Sequence, residues 1–242
     1  MTVKEEKEMK KFIGCFIVIT LFMMLSACSN EVSVQQTRAL PKASVDAGSQ
    51  FGVDGNINIG TIDDWLGRDD VAYIDVRMLV DPGDYDKIGG DPVLSGTVEG
   101  FQVVPYPYLA NLTGLPPEVA ASQYSGSTLF TLTWDADGII DTIQPNYEES
   151  EMIIKDLFPE DKAIFLMCGG GGYASFTRTL LIELGYDPEK LYNIGGFWQY
   201  NGNRKVHVKV SYGENNAKEY NALHRLNYRL IDFNQLNKKT SY

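Results

Sequence analysis

Ala163-Ile164-Phe165-Leu166-Met167-Cys168-Gly169-Gly170-Gly171-Gly172-Tyr173-Ala174-Ser175-Phe176 is the stretch on which the fold turns. An apolar run of this length before glycine predicts a buried strand of a parallel sheet over Ala163–Met167. Residues Ala174 to Leu184 carry helical spacing and are stopped by Gly185. Strand, side-chain-free loop and helix follow one another, so Cys168 stands at a strand's carboxyl end beside a helix N-terminus. Ligands bind at such strand ends in open α/β sheets, and a thiolate is stabilised there. Four successive glycines can adopt the positive φ values that turn amides inward as an anion-binding nest. Gly169, Gly170, Gly171, Gly172, Tyr173 and Ala174 are therefore the candidate anion or substrate loop, and Cys168 the candidate nucleophile.

The flanking sequence extends the same pattern. Val71–Arg77 is a short β-rich run ending in charges, so Asp75 and Arg77 are candidates for the mouth of the site. Phe101–Val104 reads as a strand stopped by Pro105 and Pro107. Thr128–Trp134 and Ile139–Ile143 flank the turn Asp135-Ala136-Asp137-Gly138 and predict a hairpin. Ile62–Leu66 predicts a helical turn capped by Thr61. Helical spacing recurs over Glu148–Phe158, and Leu191–Ile194 is a last short strand of the domain. Strands alternating with helices predict an α/β fold with a central parallel sheet flanked by helices.

The N-terminus reads as an export signal. Lys10 and Lys11 precede an apolar stretch from Phe12 to Leu25, which ends in Leu25-Ser26-Ala27-Cys28. The stretch is shorter than the ~20 apolar residues of a membrane span. Leu-Ser-Ala-Cys resembles the bacterial lipobox, which implies cleavage before Cys28 and lipidation (palmitate) at that residue. Residues 1–27 are then the signal peptide and 28–50 a polar, flexible tether. The expected location is the extracytoplasmic side of the cell membrane, held by the lipid anchor. Cleavage leaves 17 basic and 29 acidic residues, a net charge of −12. That balance excludes nucleic acid as a partner. With Cys15 removed and Cys28 acylated, Cys168 has no internal disulfide partner, and it reads either as a reactive thiol or as a buried inert one. His207 and His224 lack metal-ligand spacing, so neither metal nor cofactor is expected.

In this order the pieces resemble the rhodanese (sulfurtransferase) family. Tyr73-Ile74-Asp75-Val76-Arg77 resembles the family's opening strand. Gly96-Thr97-Val98-Glu99-Gly100-Phe101-Gln102-Val103-Val104-Pro105 resembles its second signature, with both glycines and the proline. Cys168 with its glycine loop and helix resembles the catalytic loop, and Tyr192-Asn193-Ile194-Gly195-Gly196-Phe197-Trp198 the closing signature. The resemblance implies a rhodanese-like domain over 51–202, with an insertion around 109–143, a shorter one at 78–95, and a C-terminal extension at 203–242. Within that extension Val206–Val210 is strand-like and Ala217–Leu226 helix-like.

Departures from the family pattern bear on chemistry. Tyr173 stands where the loop usually carries Arg, and Thr97 where the second signature carries His. In the family the cysteine thiolate takes a sulfane sulfur as a persulfide and passes it to an acceptor. The implied activity is thus sulfur transfer or thiol redox exchange through Cys168, with a small sulfur-containing anion or a thiol or persulfide protein as partner. Without the loop Arg a bidentate oxyanion donor is lost, so weak turnover of thiosulfate or a polysulfide or protein-persulfide donor is expected. The competing reading is a non-catalytic binding module on the same fold. A cysteine phosphatase is a further alternative, disfavoured because that chemistry needs the absent Arg. Arg178, on the following helix, is expected to serve structure.

Overall fold

The computed structural model describes residues 38–78, 96–119, 124–206, 208–212, 218–222 and 227–239. The signal segment, Cys28, His207, His224 and the short insertion beyond Met78 lie outside the described residues. Met1–Leu40 is one unit, of which only residues 38–40 are described, and Pro41–Tyr242 is a second compact unit. Among the described residues no helix is long and apolar enough to cross a membrane.

In chain order the elements are β1 (Val71–Asp75), β2 (Thr97–Val98), β3 (Gln102–Val103), α1 (Tyr106–Leu109), β4 (Phe130–Trp134) and β5 (Ile140–Pro145). There follow α2 (Ser150–Leu157), β6 (Ala163–Cys168), α3 (Gly172–Glu183), β7 (Leu191–Gly196), β8 (Lys205–Val206), β9 (Val208–Tyr212), β10 (Lys218–Ala222) and β11 (Asn227–Tyr228). The protein is α/β: four parallel strands run in the order β3-β1-β6-β7, with helices flanking the sheet. The two-residue β11 adds a fifth, parallel strand beside β3.

All six residues of β6 are buried, as a central parallel strand covered on both faces requires. Period-two alternation sorts its side chains. Tyr73, Phe165 and Tyr192 share one register row on one face, with ring centroids 5.6 and 4.9 Å apart. Ile74, Ile164 and Leu166 face the other way, into the main core with Leu157, Phe158, Leu180 and Leu181. The register Asp75↔Met167 and Cys168↔Gly196 brings the carboxyl ends of β1, β6 and β7 together.

The predicted hairpin forms as β4 and β5 in antiparallel register, outside the central sheet. Its turn is closed by Asp135, whose Oδ1 accepts the amides of Asp137 and Ile139. Phe130 and Leu132 face the core, and Trp134 meets Phe176 of α3 edge-on at 5.4 Å.

Four expectations are corrected. The tether ends early: Ala43 N–H donates to Glu189 O, Ser44 N–H to Asp54 Oδ2, and Tyr192 Oη to Pro41 O, so Pro41–Gln50 belongs to the domain. Ile62–Trp65 is a 3-10 turn, but Thr61 makes no side-chain cap. The helix-like Ala217–Leu226 contains a strand, because Lys218–Ala222 pairs antiparallel with Val208–Tyr212 and sheet pairing overrides weak helical spacing. The C-terminal extension is no appendage, since β8 pairs with β2, Arg229 N–H donates to Val103 O, and Glu148 N–H donates to Asn237 O.

Candidate functional site

Cys168 ends β6, and the glycine loop turns the chain directly into α3. Gly171 is the N-cap residue, with φ 101°, and its N–H reaches Sγ at 3.0 Å. It is the loop's only left-handed glycine, so the expectation of several positive φ values is corrected. Close approach explains two of the other three. A Cβ on Gly169 would stand 2.6 Å from Cζ2 of Trp198, and one on Gly172 would stand 2.8 Å from Cγ2 of Val119. Gly170 leaves ordinary contact distances to the same indole. Beneath the loop Gly196 faces Gly169 O so closely that no side chain fits between them. The glycine run is therefore a seat for covering side chains as much as a cradle for an anion.

The cover comes from distant segments. Trp198 N–H donates to Gly169 O, and its ring lies against the loop while remaining 64% exposed. Phe51 and Val53 close over Gly171, and Val119 of the long insertion closes over Gly172. Buried Asn193 ties these parts together: its Nδ2 donates to Gly171 O and Phe51 O, and its Oδ1 accepts Gly195 N–H. Under this cover Cys168 is only 3% exposed.

Burial pushes the Cys168 thiol above its ordinary range. The amides of Ala174, Gly171 and Gly170 pull it down, and the Asp75 carboxylate pushes it up. The expected convergence of backbone dipoles on the sulfur is present, but in this closed arrangement desolvation outweighs it. The expectation that those dipoles keep the thiol ionised near neutrality is thereby corrected.

Asp75 and Arg77 occupy the neighbouring strand end, and both are buried. Arg77 Nε donates to Asp75 Oδ1 at 2.9 Å, and Nη2 donates to Asp75 Oδ2 and to Gly96 O. Thr97, where the family signature carries His, donates its hydroxyl to Asp75 Oδ2 at 2.7 Å. The mouth residues thus face each other in a closed ion pair. Tyr173 is no loop cation substitute: its ring stacks on Tyr106, centroids 5.1 Å apart and planes 12° apart. Arg178 donates to the carbonyls of Leu191 and Pro188, a structural role.

Cys168, Gly169 to Gly172 and Ala174 do come together, with Asp75 and Arg77 on the adjoining strand end. The sequence reading missed Thr97, Asn193, Trp198 and Val119 as parts of the site. Gly195-Gly196 opposite Gly169-Gly170 was a usable signal for close packing there. Val119 left none. Among the described residues no group of three His, Cys, Asp or Glu side chains could hold a metal ion. No family model, curated protein or solved structure matches the chain.

Proposed function

We propose that the protein is a rhodanese-like sulfur carrier in which Cys168 accepts a sulfane sulfur and hands it on. The observation that carries this reading is the convergence of the Gly170, Gly171 and Ala174 amides on Sγ at the carboxyl end of a parallel strand. Those dipoles favour an anionic sulfur, whether thiolate or terminal persulfide. The thiolate attacks the outer sulfur of a donor such as thiosulfate, forming the Cys168 S–S bond and releasing sulfite with the electron pair of the broken S–S bond. A nucleophilic acceptor, cyanide or a thiolate, then takes the terminal sulfur and returns the Cys168 thiolate. Burial opposes ionisation in the closed site, so reaction belongs to an open form in which Trp198 has left the loop.

Lipidation at Cys28 and an extracytoplasmic position belong to the same proposal and rest on the sequence. Cys28→Ser should leave the precursor mass unprocessed; normal processing of that variant sinks the lipoprotein reading.

The low exposure of Cys168 favours a second reading, a non-catalytic module built on the same fold. One experiment separates the two. The full chain in non-ionic detergent is incubated with polysulfide or thiosulfate and its intact mass recorded. The sulfur-carrier reading expects a gain of about 32 daltons, one sulfur, that is absent in Cys168→Ala. An unchanged mass with every donor leaves the binding module standing.

A further inference from the structure

Arg77 presents a donor that nothing in the protein uses. A guanidinium has five N–H groups in one plane. Nε and Nη2 are spent on Asp75 and Gly96 O, whereas Nη1 is buried and has no hydrogen-bond partner among the described residues. The side chain is only 7% exposed, so bulk water does not reach that nitrogen. Asp75 offers it no acceptor: Oδ1 takes Arg77 N–H and Nε, while Oδ2 takes Nη2 and the Thr97 hydroxyl. Because Nε and Nη2 form the edge facing the carboxylate, Nη1 points away from it. A buried orphan donor of this kind marks a bound water or ion.

The surroundings favour an ion of negative charge. Arg77 Cζ lies 4.6 Å from the centre of the Phe197 ring, and a second cation, Lys205 Nζ, lies 5.0 Å from the same centre. Asp75 neutralises Arg77, so Lys205 leaves this corner with a net positive charge in a chain whose overall charge is −11. Phe197 directly follows Gly196, the register partner of Cys168, and Arg77 follows the strand on the other side of β6. The guanidinium therefore lies across the same sheet edge that ends in the cysteine.

We propose that Arg77 Nη1 and Lys205, gathered around Phe197, form a subsite for a small oxyanion of the sulfite or sulfonate class. Only the identity of the anion rests on the sulfur-transfer reading, where sulfite is the leaving group of a thiosulfate donor. The subsite supplies from β1 the cation that the glycine loop lacks, and so selects donors with a sulfonate end over neutral polysulfides.

The test removes the chemistry. Full-length Cys168→Ser in non-ionic detergent is titrated calorimetrically with sulfite, thiosulfate and phosphate at constant ionic strength. Saturable binding at one site per chain is expected for sulfite and thiosulfate. Arg77→Lys keeps the charge opposite Asp75 but deletes the second terminal nitrogen, and should weaken binding about tenfold with the melting temperature unchanged. Lys205→Gln should weaken it roughly threefold and flatten its salt dependence; this variant decides the matter if Arg77→Lys does not fold. Absent or non-saturable binding, or equal affinity in both variants, overturns the proposal and leaves a trapped water at Nη1. Phosphate binding as tightly as sulfite overturns the sulfonate assignment. The mass gain of the wild type with polysulfide is independent of this subsite, so failure of sulfur transfer and failure of the subsite are read separately.

Discussion

The carboxyl ends of β6 and β1 lie side by side and are built on opposite principles. At the end of β6 the sulfur meets only backbone: amides approach it, glycines make room, and side chains from elsewhere close over the top. At the end of β1 full charges meet: Asp75, Arg77 and Thr97 share a buried network in which the carboxylate is fully used. Partial charges under a lid leave the sulfur neutral and adjustable, since exposure to water changes its ionisation. A paired carboxylate and guanidinium are locked, and removing either partner strands the other in low dielectric. One strand end is thus suited to switching, the other to holding a fixed field beside it.

Breaking the locked side should produce the largest effect. Asp75→Ala leaves Arg77 charged and buried, and should cost about 3–5 kcal/mol of unfolding free energy, read from urea denaturation. A loss below about 1 kcal/mol would mean that water already reaches the pair.

The glycine side should yield smaller losses of differing origin. Gly196→Ala drives a Cβ into Gly169 O, and Gly171→Ala forces an L residue to φ 101°. Each should cost about 1–3 kcal/mol. Gly170→Ala, with only ordinary contacts to Trp198, is the contrasting control and should stay below about 1 kcal/mol. Equal losses at all three positions would refute the account of the loop as a seat with distinct steric demands.

The lid sharpens the comparison further. Trp198→Ala uncovers Gly169 and Gly170, and should raise the alkylation rate of Cys168 by iodoacetamide about tenfold, the equivalent of about 1.4 kcal/mol of opening free energy. An unchanged rate would place the path to the sulfur elsewhere.

The smallest effect is in pH dependence, and its sign follows from burial. The folded thiol holds its proton beyond the ordinary range, while the unfolded thiol ionises from about pH 8.5 upward. Above that pH the unfolded chain binds fewer protons, so the folded state loses stability as pH rises. Wild type should lose more between pH 8 and 10 than Cys168→Ser. Tyr192 and Tyr200, both pushed up to about 12 chiefly by burial, weaken the fold at higher pH in both proteins. Parallel curves would show the sulfur to be hydrated.

Local pattern made much of the molecule legible. The buried strand over Ala163–Met167, the helix after the glycines and the β4–β5 hairpin each announce themselves within a dozen or so residues, through apolar runs, helical spacing or turn chemistry. The parallel sheet followed from their alternation. The position of Cys168 at a strand end was equally readable, because strand, glycines and helix are contiguous. Lys218–Ala222 was misread because its partner strand, not its own spacing, determines its conformation. The tether boundary failed likewise, since the acceptors that hold Pro41 and Ala43 come from residues near position 190.

By itself the chain determined where a reactive sulfur would sit and which backbone would face it. Only the tertiary structure decided whether that sulfur is charged. Trp198, Val119, Phe51 and Asn193 converge on the loop from four separate segments and remove it from water, and desolvation is a property of the assembled surroundings. Tertiary packing likewise paired Asp75 with Arg77 and Thr97 and left one nitrogen of Arg77 unmatched. Spacing along a chain names the groups, but their net field depends on which neighbours exclude the solvent.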